Sequence, residues 1–291
     1  MKISIVTISF NQAHFLERAI RSVITQDYPD IEYIVVDPGS TDGSRDIIEK
    51  YRNRITQIIL ENDNGPADGL NKGLLRASGE IFGYLNSDDL LLYPWVLKEV
   101  AELFNNNPSL DVVCGNGYII DKNGLPIRRF YSDNFSPWRF IHWGCNIMQP
   151  STFYRRKVVD EIGGFNRENT VTWDIELLLD IALAGKNIIT VPNFWSVFTL
   201  HSESISSQKG NDTERSRSIE NLRKIHRKRF YRKVTGKNPG WSFPILCGWA
   251  RLQKWILQPR GTFWRVFEKL GIPPKIDPKY IPRLDVNYFR N

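Results

Sequence analysis

Short apolar runs alternate with helix-like segments through the first 114 residues, and this rhythm constrains the fold more than any other feature. The apolar runs cover residues 3–9, 31–36, 55–60, 80–85 and 110–114. Such runs are typical of strands buried on both faces of a parallel sheet. The segments between them, at residues 14–25, 44–51, 67–77 and 94–108, have helical character. This alternation predicts an α/β fold with a mainly parallel, Rossmann-like sheet flanked by helices.

The pattern changes after residue 115. A hairpin is predicted where residues 118–120 and 126–130 flank the turn Asp121-Lys-Asn-Gly124. Further strands are predicted at residues 149–154, 188–191 and 195–200, and an amphipathic helix at 174–184. The polar stretch 204–213 is typical of a linker or a loop.

Charge divides the 291 residues into two parts. Residues 208–291 contain 20 Lys and Arg against 6 Asp and Glu, a balance of +14, whereas residues 1–207 have a balance of −7. A split of this kind indicates two functional parts. We therefore predict an α/β domain at residues 1–207 and a basic, largely helical C-terminal extension at 208–291.

Several classes of protein are disfavoured. No uncharged apolar run reaches the roughly 18 residues of a transmembrane helix, and the N-terminus does not have the design of a signal peptide. Cys114, Cys145 and Cys247 are widely spaced and include no CxxC pair, so neither a zinc site nor a disulfide framework is predicted. We expect three reduced, mostly buried thiols in a cytoplasmic protein.

Acidic loops follow two of the predicted strands. Asp37-Pro-Gly-Ser-Thr-Asp-Gly-Ser44 follows the second strand, Asn86-Ser-Asp-Asp89 follows the fourth, and the Gly-rich segment 65–73 lies between them. Asp37 and Asp42 could serve only as turn residues. Ligands of open α/β sheets, however, bind at the carboxyl ends of the strands, where carboxylates can hold a hard divalent cation. Neither a G-x-G-x-x-G nor a P-loop motif is present, which disfavours a dinucleotide-binding fold and a P-loop enzyme. The carboxylates at the strand ends therefore predict a metal-assisted enzyme that acts on nucleotides or phosphate esters.

Together these motifs resemble the family 2 glycosyltransferases, which have the GT-A fold, over about residues 1–205. The resemblance is carried by residues 3–11, 36–44, 65–73 and 85–89, followed in order by Gly164-Phe165, Trp173-Asp174 and His201. It implies a nucleotide-diphosphate sugar donor, with a UDP-sugar favoured, a divalent cation such as Mg²⁺ or Mn²⁺, and inversion at the anomeric carbon. Similar sequences act in bacterial surface-polysaccharide assembly, so a glycan or lipid-linked acceptor is expected.

The resemblance also implies roles for individual residues of the donor site. It assigns Asp37 to the nucleobase with Thr7 against the base, Asp68 to the nucleoside, Asp88 to the ribose or a metal-bound water, and Asp89 to the cation. The family usually has Asp where this chain has Asn86, which leaves the division between Asp88 and Asp89 open. His201 resembles a late histidine that binds the metal or a phosphate, although it could also be a hydrogen-bonded histidine at a strand end.

Asp174 matches the catalytic base of the family. The acceptor hydroxyl is a poor nucleophile, and a carboxylate held beside it can accept its proton as the new bond forms. An alternative is that Asp174 only caps the helix N-terminus. Glu176 is a weaker candidate for the base and could be a solvated surface residue.

The basic extension allows three interpretations. It could be a solvated helical surface or, less favoured because no recognition motif accompanies it, a nucleic-acid binder. We favour attachment to an anionic membrane surface, because Ile245, Trp249, Leu252 and Ile256 share one helical side near many Lys and Arg residues. This predicts a cytoplasmic protein that is peripheral on the inner face of the plasma membrane.

A non-catalytic alternative for the whole chain is a nucleotide-sugar-binding scaffold of a polysaccharide assembly complex. The presence of Asp174 together with Asp88 and Asp89 favours the enzyme.

Overall fold

A computed structural model describes residues 1–142, 144–201 and 214–257, with the backbone alone for 214–220, 222 and 223. The strands are β1 Ile3–Ile8, β2 Ile31–Val36, β3 Gln57–Ile59, β4 Ile81–Asn86, β5 Leu90–Leu91, β6 Val112–Asp121, β7 Pro126–Phe130, β8 Thr152–Arg155 and β9 Ile188–Leu200. The helices are α1 Ala13–Ile24, α2 Ser44–Lys50, α3 Pro66–Arg76, α4 Val96–Asn106, α5 Pro137–Ile141, α6 Arg156–Ile162, α7 Trp173–Leu183, α8 Glu214–Thr235 and α9 Phe243–Leu257.

The strands form one sheet in the order β3-β2-β1-β4-β8-β6-β9-β5, with β7 beside β6. The first four strands in this order are parallel. Beyond them β8 runs antiparallel to both β4 and β6, whereas β9 returns parallel to β6. The predicted α/β fold class is confirmed, with parallel pairing concentrated in the first half of the sheet.

Both faces of the sheet are covered, which explains the continuous apolar runs. Ile3 and Ile5 of β1 pack on the side of α1 and α4, whereas Val6 packs on the side of α3. The approach of α3 to β1 is close, since a Cβ atom at Gly73 would lie 2.4 Å from the side chain of Val6. Glycine at this position therefore allows the Gly-rich segment to lie directly against the central strand.

Two predicted pairs of strands are in fact single strands. β6 runs unbroken from Val112 to Asp121, and β9 runs from Ile188 to Leu200 through Pro192. The pairing of β6 with β9 shifts register around Asn116, whose side-chain nitrogen donates a 2.9 Å hydrogen bond to the carbonyl oxygen of Pro192. This irregularity accommodates the proline, which has no N–H group for the ladder. The short elements β5, α5 and α6 were not predicted.

The extension is helical and packs against the rest of the protein over its described part. Phe230 and Tyr231 of α8 form an apolar cluster with Ile141 of α5 and Leu179 of α7. The predicted helical character is confirmed at α8 and α9. The predicted linker 204–213 and the predicted boundary at residue 207 lie outside the described residues. In the part of the chain that the structure describes, no helix is both long and apolar enough to cross a membrane. The three cysteines are buried and unpaired, as predicted.

Candidate active site

The acidic loops of the sequence meet at one edge of the sheet. The register of the parallel strands places Ile8, Val36 and Asn86 side by side at the carboxyl ends of β1, β2 and β4. The backbone N–H of Ser9 donates to Val36, and that of Ser87 donates to Ile8. Asp37 therefore follows β2 at the level where the acidic 86–89 loop follows β4, and this shared edge is where a ligand of an open α/β sheet binds.

Asp37 is completely buried directly after β2. Its Oδ1 accepts hydrogen bonds from the backbone N–H groups of Gly39 and Ser40, at 3.0 and 2.8 Å, and from the Nε of Arg45 at 3.2 Å. Its Oδ2 is buried and has no hydrogen-bond partner among the described residues. One carboxylate oxygen thus fixes the loop, while the other remains as an acceptor for a ligand N–H. Arg45 was not predicted.

Asp68 lies in the first turn of α3, behind Gly65 and Pro66. One carboxylate oxygen lies 2.9 Å from the Nε of Arg167, and the other accepts the backbone N–H of Asn64 at 3.0 Å. Neighbouring Asp63 was not predicted. Burial, and then the negative charges of Asp68 and Asp37, raise the pKa of Asp63. The carboxylates of Asp37, Asp63 and Asp68 therefore share one electrostatic environment.

Asp88, Asp89 and His201 come together at the end of β4. The Nε2 of His201 lies 3.0 Å from the Oδ2 of Asp88, so the predicted late histidine joins this loop across 113 residues of sequence. Asp89 is completely buried and accepts the backbone N–H of Thr199 at 3.3 Å. Burial, followed by the charge of Asp88, raises the pKa of Asp89 well above its ordinary value.

Asn86 links this acidic loop to a residue that was not predicted. Its Nδ2 lies 3.3 Å from Asp89 and 3.4 Å from the Oε1 of Gln149. Gln149 also donates to the carbonyl oxygen of Tyr84 at 3.1 Å. Because Asn86 donates a hydrogen bond where Asp would add a negative charge, it lessens the repulsion in the loop. Its own Oδ1 is buried and has no hydrogen-bond partner in the part of the chain that the structure describes.

Asp174 lies in the first turn of α7, next to Trp173, which packs in the same apolar cluster as Tyr84 of β4. Burial raises the pKa of Tyr84 well above its ordinary value, and the charges of Tyr154, Asp174 and Asp89 add to this effect. The side chain of Asp174 is partly exposed. Burial nevertheless raises its pKa and outweighs the backbone hydrogen bonds from Ile175 and from Asp174 itself, which lower it.

The cap of α7 is Thr172, so the interpretation of Asp174 as an N-cap is wrong. The interpretation of Glu176 as a solvated surface residue is also wrong, because Glu176 is only 4% exposed. It accepts hydrogen bonds from the side chains of Asn166 and Asn169 and pairs with Arg229 of α8. Arg229 belongs to α8, which lies far away in sequence.

Thr7 has a different environment from the other predicted residues. It is completely buried in β1, and its hydroxyl accepts a 3.1 Å hydrogen bond from the hydroxyl of Tyr33. In this conformation the Thr7 side chain is part of the core, and its contact with a nucleobase stays a prediction.

Comparisons with known proteins identify the family of this chain. A sequence profile described as "Glycosyl transferase family 2" matches residues 4–163, more than half of the chain. An uncharacterized glycosyltransferase of Nostoc sp. is 35% identical over 174 residues, which cover 56% of this chain and 53% of that protein. Bacillus subtilis TuaG, named as a teichuronic acid biosynthesis glycosyltransferase, is 41% identical over 132 residues, which cover 44% and 51%.

Solved structures share the fold. Residues 1–349 of Staphylococcus aureus TarS, in complex with UDP-GlcNAc, match with a TM-score of 0.63 at 20% identity, covering 97% of this chain and 79% of that one. The mannosyltransferase PcManGT of Pyrobaculum calidifontis, in complex with GDP-Man and Mn²⁺, matches with a TM-score of 0.60 at 18% identity, covering 100% and 86%.

The chain spans about half the length of the two curated relatives, so the comparisons identify its family and fold and not its substrates. The family profile covers the three acidic and Gly-rich segments that line the sheet edge. The chain belongs to glycosyltransferase family 2 and has the GT-A fold.

Proposed function

We propose that this protein is an inverting glycosyltransferase, which moves a sugar from a nucleotide-diphosphate sugar to a hydroxyl of a glycan or lipid-linked acceptor. The observation that carries the proposal is the convergence of Asp37, the acidic 86–89 loop and His201 at the carboxyl edge of the parallel strands. Asp89 of this loop would serve the donor diphosphate, and Asp174 in the first turn of α7 would serve the acceptor hydroxyl. Inversion requires such a pair, because the base must act while the diphosphate departs.

The nucleotide part of the donor fits the end of β2. The unpartnered Oδ2 of Asp37 would accept an N–H of the base, and uracil offers one such group. Asp68 would contact the nucleoside from α3, with its charge balanced by Arg167. Thr7 would lie on the core side of this base pocket. These features suit a UDP-sugar, which we propose as the donor.

A divalent cation fits the oxygen-rich loop after β4. Asp89 would bind Mg²⁺ or Mn²⁺, His201 would be a further ligand to the metal or a phosphate, and Asp88 would face the ribose or a metal-bound water. Within the described residues, no three His, Cys, Asp or Glu side chains form a ready-made metal site. Mg²⁺ is usually bound by one or two carboxylates together with the phosphates of the substrate. When bound, the cation offsets negative charge on the departing diphosphate.

Asp174 is the proposed base. Its carboxylate would accept the proton of the acceptor hydroxyl while the oxygen attacks the anomeric carbon. Because burial raises the pKa of Asp174, its carboxylate holds a proton more readily than that of an exposed aspartate. A raised pKa suits a base, since it increases the driving force for proton transfer.

The relatives support a place in polysaccharide assembly. TuaG is named for teichuronic acid biosynthesis, and the structural neighbours contain UDP-GlcNAc or GDP-Man. We extend these attributes to this chain only as a proposal for the donor class and the acceptor class.

We also propose that α9 attaches the protein to an anionic membrane surface. Ile245, Trp249, Leu252 and Ile256 follow one side of α9, and each is at least half exposed. The opposite side carries buried Cys247 and Ala250 and the ion pair of Lys254 with Asp133. An apolar helix face beside cationic residues is the usual design of an interfacial helix. The protein would then be peripheral on the cytoplasmic face of the plasma membrane, near a lipid-linked acceptor.

The metal assignment is tested by titrating the full-length protein with UDP by calorimetry, in Mn²⁺ and in chelator. Asp89→Ala should weaken cation-dependent binding, since losing one charged contact typically costs about 1.5–3 kcal/mol, or roughly 10- to 100-fold in affinity. Asp46→Ala, which removes an exposed carboxylate of α2, is the matched control and should bind as the wild type does. Equal UDP affinity with cation and with chelator would show that the metal assignment is wrong.

A further inference from the structure

The segment between α6 and α7, residues 163–172, connects the donor side of the site to the proposed base. We name it the bridging segment. Its first half is fastened to α3. The side chain of Asn71 donates to the carbonyl oxygen of Phe165 at 2.7 Å and accepts the N–H of Phe165 at 2.8 Å. Two residues further on, Arg167 reaches Asp68. The segment is therefore anchored on the helix that carries a donor-site carboxylate.

The second half of the bridging segment leads directly into α7. Asn169 is completely buried, and its Oδ1 accepts the backbone N–H groups of Val171 and Thr172 at 3.2 and 2.9 Å. Thr172 is the cap of α7, and Asp174 follows it in the first turn. The hydrogen bonds of Asn169 thus fix where α7 begins, and with it the position of Asp174.

Glu176 fastens this second half. Its carboxylate accepts the Nδ2 of Asn169 at 2.7 Å and the Nδ2 of Asn166 at 3.3 Å. The remaining partner is Arg229 of α8, which comes from the C-terminal extension. A buried carboxylate is costly unless it is paired and hydrogen-bonded, so Glu176, the bridging segment and α8 depend on one another.

The charges of this cluster are not needed simply to pack α8 on α7. Buried ion pairs contribute little net stability compared with apolar residues of similar size. The apolar contact between the helices is already supplied by Leu179, Phe230 and Tyr231. A second ion pair, Lys233 with Asp180, lies further along the same two helices. What distinguishes the Glu176–Arg229 pair is its connection to the turn that holds Asp174.

We infer that Glu176 is a positioning residue for transfer, which holds the bridging segment and thereby Asp174, and that Arg229 completes this function from the C-terminal extension. The extension is then part of the transfer machinery as well as a means of attachment. The inference rests on the proposed role of Asp174 as the base.

The test uses the full-length protein and the nucleotide sugar that the wild type turns over, from a panel of UDP-GlcNAc, UDP-glucose, UDP-galactose and GDP-mannose. The variants are Glu176→Gln and Arg229→Met, with Lys233→Met as the matched control for an ion pair between the same helices. In the first two, kcat should fall by about 10- to 100-fold, the size expected for a misplaced catalytic group. UDP affinity by calorimetry should change by less than about twofold, or roughly 0.4 kcal/mol. Lys233→Met should keep the kcat of the wild type.

Hydrogen exchange gives a readout that does not require activity. Amides of residues 165–177 should exchange faster in Glu176→Gln and Arg229→Met, whereas Lys233→Met should leave them protected. Unchanged exchange and kcat in both variants would overturn the inference. The inference would also be overturned if all three variants lost kcat in proportion to their loss of melting temperature. Such a result would indicate a purely structural role. If Asp174→Asn keeps transfer, the proposed base is wrong. If only Asp174→Asn loses transfer, the base stands and the positioning role fails.

Discussion

At the scale of single residues, the site contains two kinds of carboxylate. Asp37 and Asp68 each have an arginine within about 3 Å, Arg45 at 3.2 Å and Arg167 at 2.9 Å, so their charges are balanced by the protein. By contrast, burial raises the pKa of Asp89 and of Asp174. A carboxylate whose charge is balanced by an arginine suits hydrogen bonding to a nucleoside. A carboxylate that is costly to ionise suits binding a cation or accepting a proton.

The raised pKa of Asp174 makes a prediction about stability. A carboxyl group whose pKa is higher in the folded state than in the unfolded state destabilises the fold once it ionises, and this cost is removed as pH falls through the folded pKa. Asp174→Asn removes the ionisable group. The variant should therefore melt at or above the wild-type temperature near about pH 8, and the difference should disappear below about pH 3, where Asp174 is neutral in both states. Scanning calorimetry across this range measures it.

Asp160→Asn is the control, since it neutralises a more exposed carboxylate that pairs with Arg156 on α6. Its melting temperature should show no such gain at high pH. A large loss of stability in Asp174→Asn at high pH would contradict the raised pKa of Asp174.

At the scale of elements, the strands and helices of the first half could be predicted because each has a strong period or a long apolar run. The structure begins α1 at Ala13 and ends it at Ile24, within one residue of the prediction. β9 could not be predicted as one strand because Pro192 reads as a break, and only the irregular pairing with β6 tolerates it. β5 has two residues and depends on β9 for its partner, so no local signal identifies it.

The same limit applies to the site. Carboxylates at strand ends could be predicted because strand ends converge in any parallel sheet. Gln149 and Arg167 were not predicted, and Glu176 was predicted only as a weaker candidate for the base. Their contacts with Asn86, Asp68 and Arg229 span 63, 99 and 53 residues of sequence, which no local pattern shows. The signals available in the sequence were modest: Gln149 precedes a proline before a strand, and Arg167 follows the Gly164-Phe165 motif.

The apolar face of α9 makes a prediction about membranes. Trp249→Glu should sharply reduce co-sedimentation with phosphatidylglycerol vesicles at low salt, because it removes an interfacial anchor and adds a charge that anionic lipid repels. Added salt should also weaken binding of the wild type. Each Lys or Arg near such a surface contributes about 1 kcal/mol, so a few engaged residues suffice.

Leu75→Glu is the matched control, because Leu75 is an 84% exposed apolar residue on α3. It should bind vesicles as the wild type does. If the intact wild-type protein does not bind these vesicles at low salt, membrane attachment through α9 is wrong.

At the scale of the whole molecule, ion pairs connect the two parts of the chain. Residues 1–207 carry a balance of −7 and residues 208–291 a balance of +14. Ion pairs cross between them, from Arg229 to Glu176 and from Lys254 to Asp133, and both carboxylates are buried. Cutting the chain near residue 208 would leave these two buried carboxylates without their basic partners. The extension is therefore better studied by point substitutions than by truncation.

The central claim is that this sheet edge transfers sugar, and nucleotide release tests it most directly. Purified full-length protein is mixed with each nucleotide sugar of the panel and Mn²⁺, with and without a lipid extract that contains candidate acceptors. We predict release of one nucleoside diphosphate that increases with the acceptor extract, requires the cation and falls by about 10²- to 10⁴-fold in Asp174→Asn. Binding of a nucleotide sugar without acceptor-dependent release from any donor would contradict the account and support the non-catalytic scaffold.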